Sequence, residues 1–332
     1  MSCSWGRHAE FKIHTSEETE RGNLLDTRNP ILPNFFIVGA PKCGTTSLYF
    51  HLKQHPQVYL PAVKEPHFFS DCSDPSKIST EHCNGDRSAY LRLYEEASGY
   101  LAIGDASPSY LSDRNAPSRI KQESPEAKII IILRDPVERA YSQYMMNRFA
   151  GLDTMPFLDA IQYHDKHEQP GWWLPRSYVE LGMYSEQVER YFDLFGRENV
   201  LVLLSEDLTK NPEKLFADLA NHIGVAPDFF AGSRLSEAQN TYRMPRFMFA
   251  YRLLTSNRVT EIRRKVMPEA LKRWLRQSHF LYQTRKPAMD KRAKEHLMSI
   301  FGPDLDRLET LLGRRLPSLR KSWQPRNATQ GQ

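Results

Sequence analysis

The chain has 332 residues, of which 40% are hydrophobic and 26% are charged, and its formal net charge is +5. This length suffices for one large α/β domain with a sizeable core, or for two small domains. The mild basic excess suits anionic ligands without singling out nucleic acid, and no apolar run approaches the roughly 18–20 residues that a membrane span needs.

The N-terminal stretch and the cysteines bear on location. Residues 1–32 carry few aliphatic side chains and lack the apolar core of a secretory signal, so we expect a flexible leader and a cytoplasmic protein. Cys72 and Cys83 are close enough in sequence to pair, but a cytosolic chain would keep them reduced. No CxxC motif and no His/Cys cluster at metal-ligand spacing is present, which argues against a structural zinc site.

The first predicted elements enclose a glycine- and proline-containing loop. Asn34–Ala40 is a short apolar run that predicts a buried parallel strand, and Thr45–Gln54 predicts a helix. Between them the chain reads GAPKCGTT from Gly39 to Thr46. A helix that starts directly after such a loop presents unpaired backbone N–H groups and the positive end of its dipole, which together favour an anion.

The position of the lysine distinguishes this loop from that of an ATP-binding protein. The Walker pattern requires Gly-Lys-Ser/Thr at the helix start, whereas Lys42 here precedes Gly44 by two residues. No acidic residue for Mg²⁺ is evident at a strand end. An ATP or GTP hydrolase is therefore a poor fit, although a loop without any ligand remains an alternative.

The middle of the chain alternates strands and helices. Tyr100–Asp105 predicts a short strand and Arg114–Glu123 a helix. Lys128–Leu133, which reads KIIIIL, predicts a strand that is buried on both faces. Pro136 suits the first turn of a helix, so Pro136–Phe149 is predicted to be helical.

The alternation continues to about residue 223. Val179–Phe195 predicts a long amphipathic helix, Val200–Leu204 a buried strand, and Asp207–Ile223 a helix with a break near Pro212. Strands that alternate with helices indicate an α/β fold with a mostly parallel central sheet covered by helices on both sides.

Beyond about residue 240 the sequence predicts helices and no further strands. Residues 243–292 hold fourteen Lys/Arg and three Asp/Glu, a composition typical either of a solvated helical face or of a surface for a polyanion. Leu297–Leu312 predicts a last helix or helix pair. We therefore divide the chain into a flexible leader at 1–32, an α/β domain at 33–246 and a helical C-terminal extension at 247–332 that packs on the same domain.

The loop PKCGTTSLY after the first strand resembles the 5′-phosphosulfate loop of the sulfotransferases that use 3′-phosphoadenosine 5′-phosphosulfate (PAPS). The resemblance implies their fold, a three-layer α/β sandwich related to P-loop NTPases. It also implies that Lys42 contacts the oxygen that bridges phosphate and sulfate. The cofactor-binding residues of this loop would then be Lys42 at the bridging oxygen and, along the 5′-phosphate, Cys43, Gly44, Thr45, Thr46 and Ser47.

A second stretch, ILRDPVERAYSQYMMNR from Ile132 to Arg148, resembles the 3′-phosphate site of the same family. The resemblance assigns Arg134 and Ser142 to that phosphate, and an arginine suits the role because its guanidinium can donate two parallel hydrogen bonds. The alternative is that Arg134 and Asp135 form only a salt bridge and a helix cap. ATP has no 3′-phosphate, so this site would separate a PAPS enzyme from a kinase.

The stretch VKEPHFFS, from Val63 to Ser70, resembles the segment that supplies the catalytic base in the heparan sulfate branch of the family. Glu65 matches the catalytic glutamate and His67 the polar residue after it. A carboxylate near an acceptor hydroxyl can take its proton during the transfer. His67 is an alternative base or an orienting group. The remaining alternatives are an exposed Lys64–Glu65 pair and a buried packing histidine.

Two further stretches have counterparts in the family. GDASPSYL, from Gly104 to Leu111, would bring Asp105, Ser107 and Tyr110 either to the acceptor cleft or into the core. Tyr184 could approach the nucleotide, although a helical aromatic residue is more often buried. In NTYRMPR, from Asn240 to Arg246, a lysine of the heparan-type lid is missing, which puts the lid contacts in doubt.

The sequence thus predicts a PAPS-dependent sulfotransferase that acts on a hydroxyl group of a carbohydrate or glycolipid and releases 3′,5′-ADP (PAP). The resemblance implies that no metal is required and that nucleic acid is not a partner. Within the family, the chain is similar to the soluble bacterial and the heparan sulfate branches. The alternatives are a P-loop kinase of a small metabolite and a non-catalytic module that binds a polyanion.

Overall fold

The computed structural model describes residues 30–71, 86–167, 177–231 and 287–324. It also describes two short strands of two residues each, at 244–245 and 282–283. The predicted leader and most of the basic segment at 243–292 therefore lie outside the described residues. The predicted domain division at residue 246 stays a prediction.

A five-stranded parallel sheet forms the centre of the molecule, with the strand order β2-β3-β1-β4-β5. The strands are β1 (Phe35–Gly39), β2 (Val58–Tyr59), β3 (Ala102–Asp105), β4 (Lys128–Leu133) and β5 (Val200–Leu204). Every residue of β1 and all but the first of β4 are buried. This burial on both faces confirms the α/β sandwich that the apolar runs predicted.

Nine helices are described around the sheet. They are α1 (Thr45–Leu52), α2 (Arg87–Arg92), α3 (Ala116–Glu123), α4 (Pro136–Ala150), α5 (Phe157–His167), α6 (Tyr184–Phe195), α7 (Asp207–Lys210), α8 (Pro212–Ile223) and α9 (Lys291–Leu312). The predicted break near Pro212 is confirmed, since α7 ends and α8 begins there. The sequence did not predict β2, α2 or α5, and α9 begins six residues before the predicted last helix.

The predicted continuous helix at Val179–Phe195 is wrong. A 3₁₀ turn at Glu180–Gly182 precedes α6, and Met183 between them has a non-helical backbone, with φ −81° and ψ 83°. The interruption has a physical cause in α9. Asp304 of α9 accepts hydrogen bonds from the backbone N–H groups of Tyr184 at 2.7 Å and Ser185 at 3.2 Å, and so caps α6 from 120 residues away.

The prediction that strands stop after residue 240 is also wrong. Met244–Pro245 (β6) pairs antiparallel with Tyr282–Gln283 (β7) in a separate two-stranded ladder. A strand of two residues leaves no periodic pattern in the sequence, which explains why it was missed.

The C-terminal residues contact the start of α4. Asp135 accepts hydrogen bonds from the backbone N–H of Ser322 at 2.9 Å and from the Trp323 indole at 3.4 Å. The C-terminal helical segment is thus attached to the sheet domain at several places, among them Asp304, Asp135 and the hydrogen bond from Arg314 to the carbonyl of Val202 in β5. Across the described ranges, none of the helices combines the length and the apolar character that crossing a membrane takes.

Candidate active site

The two predicted phosphate-binding stretches lie at the same edge of the sheet. β1 and β4 are adjacent and parallel, so the loop after Gly39 and the residues after Leu133 both follow carboxyl ends of strands. The backbone N–H of Ala40 donates to the carbonyl of Ile132 at 2.9 Å, which joins the two loops where they begin. In open α/β sheets this edge is where ligands bind.

The first loop leaves backbone donors without partners. Gly44, at the N-cap of α1, has a left-handed backbone with φ 109°, and a Cβ there would approach Leu208 to 2.6 Å, so only glycine fits. Among the described residues, no group accepts a hydrogen bond from the N–H of Gly44, Thr45 or Thr46. Such donors at the start of a helix suit an anion.

Carboxylates close the starts of several other helices. Asp86, Asp135 and Asp290 each accept from the first N–H groups of their own helix, and Asp304 does so for α6. The start of α1 has no such side chain. The starts of α7 and α8 also lack a side-chain cap, so the loop with Lys42 and Gly44, and not the missing cap alone, suits the N-terminus of α1 to a negatively charged ligand.

Lys42 lies beside these donors. Its backbone is left-handed, with φ 68°, and its Nζ is 3.3 Å from the Met146 sulfur. Burial lowers the pKa of Lys42; Glu65 nearby opposes this shift, while Arg134 reinforces it. Lys42 is therefore close enough to Glu65, the predicted base, and to Arg134, the arginine predicted to bind the 3′-phosphate, for both charges to act on it.

The second stretch presents an open stripe on α4. Arg134, Glu138 and Ser142 are partly exposed and Met146 is exposed, at intervals of four residues along one face. Since Met146 contacts Lys42, this stripe faces the first loop. Arg134 pairs with Glu138 at 3.3 Å, so the salt bridge exists but with a different partner from the one expected.

Asp135 is buried and caps α4, accepting from the N–H groups of Val137 at 3.0 Å and Glu138 at 3.3 Å. The helix-cap alternative for this residue is therefore confirmed. A cap at Asp135 does not compete with a phosphate contact by Arg134, because the two side chains have separate partners.

Arg139, which the sequence analysis missed, is a buried cation in the same region. Its side chain is 0% exposed, one Nη donates to Gln143 Oε1 at 2.7 Å and the other to the Tyr178 carbonyl. Among the described residues, its Nε has no hydrogen-bond partner and no acidic side chain pairs with it. Burial lowers the pKa of Arg139, and Arg134 adds to this.

The buried side chain of Tyr184 contacts both loops from the interior of the protein. It is fully buried, its hydroxyl donates to the Arg134 carbonyl at 2.9 Å and lies 3.6 Å from the Cys43 sulfur. Burial raises the pKa of both the Tyr184 hydroxyl and the Cys43 thiol, so both are neutral groups here. The core alternative for Tyr184 is therefore correct, and the residue supports the site without being exposed in it.

The segment with the predicted base has an unusual backbone. Glu65 and His67 have φ values of 64° and 54°, both in the left-handed region. Glu65 is half-buried, its carboxylate contacts Lys64 Nζ, and its second oxygen is 3.7 Å from His67 Nε2. The predicted Lys64–Glu65 pair is thus present, but Glu65 also faces His67 and Lys42.

His67 is buried and held by the chain after β3. Its Nδ1 lies 2.6 Å from the Ser109 hydroxyl, and its backbone N–H donates to the Ser107 hydroxyl at 3.1 Å. Asp105, Ser107 and Tyr110 are all fully buried. The core alternative for these three residues is correct, and they lie beneath the Glu65–His67 segment.

Several predictions fall on residues that are not described. These include the pairing of Cys72 with Cys83, the lid around Asn240–Arg243, Arg246 and the basic segment. The cytoplasmic location also stays a prediction. Within the described ranges, no three His, Cys, Asp or Glu side chains form a group that could hold a metal ion.

The family model described as "Sulfotransferase domain" matches residues 32–307. A crystal structure of a sulfotransferase from Alicyclobacillus acidocaldarius has a TM-score of 0.64 and 31% sequence identity, and the alignment covers 87% of this chain and 99% of that one.

Two curated human proteins are also similar. Carbohydrate sulfotransferase 15 is 32% identical over 249 residues, which cover 59% of this chain and 44% of the relative. Heparan sulfate glucosamine 3-O-sulfotransferase 6 is 30% identical over 212 residues, which cover 63% of this chain and 55% of the relative. The chain thus spans about half the length of the curated relatives it matches.

Proposed function

This chain belongs to the sulfotransferase domain family, and on that premise we propose that it transfers a sulfuryl group from PAPS to a hydroxyl group of a carbohydrate or glycolipid. One observation carries the proposal. Two loops suited to anions follow adjacent parallel strands, and the hydroxyl of Tyr184 and the Ala40–Ile132 hydrogen bond hold them together. PAP carries a phosphate at each end of its ribose, which such a pair of loops would bind.

The side chains fit this donor. The free N–H groups of Gly44, Thr45 and Thr46 would bind the 5′-phosphate, and Lys42 would contact the oxygen between phosphate and sulfur. Arg134 and Ser142, on the open stripe of α4, would bind the 3′-phosphate. Ser142 has no hydrogen-bond partner among the described residues, so its hydroxyl is available.

The proposed chemistry is a direct displacement, which resembles phosphoryl transfer in needing mainly positioning and charge stabilisation. PAPS supplies the sulfuryl group: a bond forms between sulfur and the acceptor oxygen while the bond between sulfur and the bridging oxygen breaks. Glu65 takes the proton of the acceptor hydroxyl. Lys42 stabilises the negative charge that develops on the departing phosphate oxygen.

His67 is better placed to orient Glu65 than to replace it. Its Nδ1 is engaged with Ser109, and its Nε2 is directed towards the Glu65 carboxylate at 3.7 Å. At this distance the contact is electrostatic rather than a hydrogen bond, and it favours an orientation of the carboxylate that faces the ring. We therefore propose Glu65 as the base.

The proposal of a carbohydrate acceptor is supported by the relatives, whose names describe sulfation of carbohydrates and of heparan sulfate glucosamine. Incubation with radiolabelled PAPS and a panel of glycans and glycolipids would identify the acceptor. Transfer of label to neither class would contradict this part of the proposal.

Calorimetric titration with PAP, AMP and ATP tests the donor. We expect clear preference for PAP, because AMP lacks the 3′-phosphate and ATP both lacks it and extends past the first loop. Equal affinity for AMP and PAP would contradict the two-loop site, and a preference for ATP with Mg²⁺ would favour the kinase alternative.

Lys42→Ala provides a matched test of the leaving-group role. The variant should retain most of its affinity for PAP, which lacks the sulfate, and lose sulfuryl transfer by about 10²-fold or more. An unchanged transfer rate would show that Lys42 does not stabilise the leaving group.

A further inference from the structure

The segment that holds the proposed base has a backbone that its surroundings must stabilise. Glu65 and His67 both have positive φ values and flank a proline. A residue other than glycine in this conformation is strained, and persists only where other contacts enforce it. The contacts that enforce it here come from the chain after β3.

Two hydroxyl groups hold the backbone of this segment. The Ser107 hydroxyl accepts a hydrogen bond from the His67 N–H at 3.1 Å, and the Tyr110 hydroxyl accepts one from the Phe69 N–H at 3.4 Å. Both hydroxyl groups are buried. Because each hydroxyl oxygen accepts a hydrogen bond from the segment, the hydrogen of that hydroxyl must be donated to another group.

Both hydrogens point at Asp105. Ser107 donates to one carboxylate oxygen at 2.7 Å and Tyr110 to the other at 2.9 Å. Asp105 is the last residue of β3 and is 0% exposed. An ionised carboxylate only accepts hydrogen bonds, so it orders both hydroxyl groups in the direction that the segment requires.

Asp105 has no basic partner in the described part of the chain. Its third hydrogen bond comes from the Tyr90 hydroxyl of α2 at 3.0 Å. The titratable groups that face it are Tyr90, Tyr110 and, from the segment itself, Glu65. An ion buried without a countercharge is costly, which indicates a role beyond packing.

We propose that Asp105 is a positioning residue for sulfuryl transfer: through the Ser107 and Tyr110 hydroxyls, it holds the backbone of His67 and Phe69 and so places the Glu65 carboxylate. The inference rests on the proposed function and deepens it. Asp105 does not touch either substrate. It acts on the acceptor side of the site and leaves the donor-binding loops unchanged.

Asp105→Asn is the first test. Asparagine presents one acceptor oxygen and one NH₂ donor, so it cannot accept hydrogen bonds from both hydroxyls as the carboxylate does. The hydroxyl that faces the NH₂ group would have to accept instead of donate. We expect kcat to fall roughly 10- to 100-fold, the scale of a small misplacement of a catalytic group. The affinity for PAP should stay within about threefold of the wild type, since the donor loops are not connected to Asp105 by these hydrogen bonds.

Tyr90→Phe is the matched control. Tyr90 donates to the same carboxylate but makes no hydrogen bond to residues 65–70, and its ring, stacked on Phe68 at 4.2 Å, is retained in the variant. We expect kcat within about threefold of the wild type. Equal losses of kcat in Asp105→Asn and Tyr90→Phe would mean that the network is only structural, and would overturn the proposal.

Amide hydrogen exchange provides a readout that does not depend on activity. In the ligand-free protein, the N–H groups of His67 and Phe69 should exchange about tenfold faster in Asp105→Asn than in the wild type or in Tyr90→Phe. Unchanged exchange would overturn the proposal even if kcat fell. Conversely, a wild-type protein that binds no PAP would refute the proposed function while faster exchange still supported the positional role.

Ser107→Ala covers the case in which Asp105→Asn does not fold. It removes one hydroxyl from the same path and should lower kcat about tenfold without changing the affinity for PAP. If both variants fold, the double variant should be no slower than Asp105→Asn alone, because the two residues act in series. Additive losses, or an unaltered kcat in Ser107→Ala, would overturn the proposal.

Discussion

At the scale of single residues, three side chains of the site share a strained backbone. Within the described ranges, Lys42, Glu65 and His67 are the residues other than glycine with positive φ. Each such conformation costs on the order of 1–3 kcal/mol. All three were selected from sequence motifs as catalytic residues, so the backbone geometry supports the same set by an independent route.

We expect Glu65→Gln to lower turnover by about 10²–10⁴-fold, because glutamine keeps the size of the side chain but cannot take up a proton. The affinity for PAP should remain close to that of the wild type. Steady-state kinetics with the identified acceptor, together with PAP titration, would measure both quantities. A normal turnover number would transfer the role of base to His67.

Arg139→Met is expected to weaken PAP binding about tenfold, because it removes a buried positive charge that no carboxylate of the described residues neutralises. In the ligand-free protein, the free energy of unfolding should change by less than about 2 kcal/mol, since relief of the desolvated charge offsets the lost hydrogen bonds.

Arg148→Met is the control for this variant, because Arg148 is an exposed cation near the other end of α4 that bonds Tyr144. It should leave PAP affinity unchanged. If Arg139→Met instead destabilised the ligand-free protein and bound PAP normally, the arginine would be structural.

Some of these residues were accessible from the sequence and others were not. Lys42, Glu65 and Arg134 belong to contiguous motifs, and a motif is readable without knowing the fold. Arg139 lies in the same motif as Arg134. Whether a carboxylate pairs with it depends on residues of other elements, which the motif does not show. The support of His67 by Ser107 joins positions 40 residues apart, and only the folded chain shows it.

At the scale of the elements, the start of a helix is suited to an anion only where no side chain of the protein already occupies its N–H groups. α1 begins without a side-chain cap after a left-handed glycine, whereas Asp135 closes α4. The apolar periodicity of the sequence located both helices. It could not predict the break before α6, because the capping residue Asp304 comes from a helix far along the chain.

The cap at Asp135 can be tested by two substitutions. We expect Asp135→Ala to lower the free energy of unfolding by about 1–2 kcal/mol, because the N–H groups of Val137 and Glu138 lose their acceptor. Asp135→Asn should retain most of that stability, since asparagine is an equally good cap. Denaturant unfolding would measure both, and equal losses would show that the charge rather than the cap matters.

At the scale of the whole molecule, the parallel sheet brings the site together. The three stretches from which the site is built follow β1, β2 and β4, and the supporting network follows β3. The alternation of strands and helices was enough to predict this sheet. The short strands β2, β6 and β7 were missed because two residues carry no period.

The buried carboxylate of Asp105 should make stability depend on pH. Burial raises its pKa from 3.8 to about 6, so the folded state holds the proton more tightly than the unfolded state does. Its contribution is therefore greatest below pH 3.8 and is lost as the pH rises through 6. A difference of about two units corresponds to about 3 kcal/mol.

Relative to Asp105→Asn, which does not titrate there, the wild type should lose about that amount of stability between pH 4 and pH 7. Urea unfolding of both proteins at several pH values would measure the difference, and the contributions of other carboxylates common to both would cancel. A difference that is independent of pH would show that Asp105 titrates normally.

The hydroxyl of Tyr184 and the hydrogen bond from Ala40 to Ile132 keep the two donor loops at one separation. If the donor is PAPS, the spent nucleotide keeps both phosphates and loses only the sulfuryl group. The contacts of the two loops with these phosphates would therefore be the same before and after the transfer. We therefore expect PAP to inhibit the enzyme and the release of PAP to limit the rate of turnover.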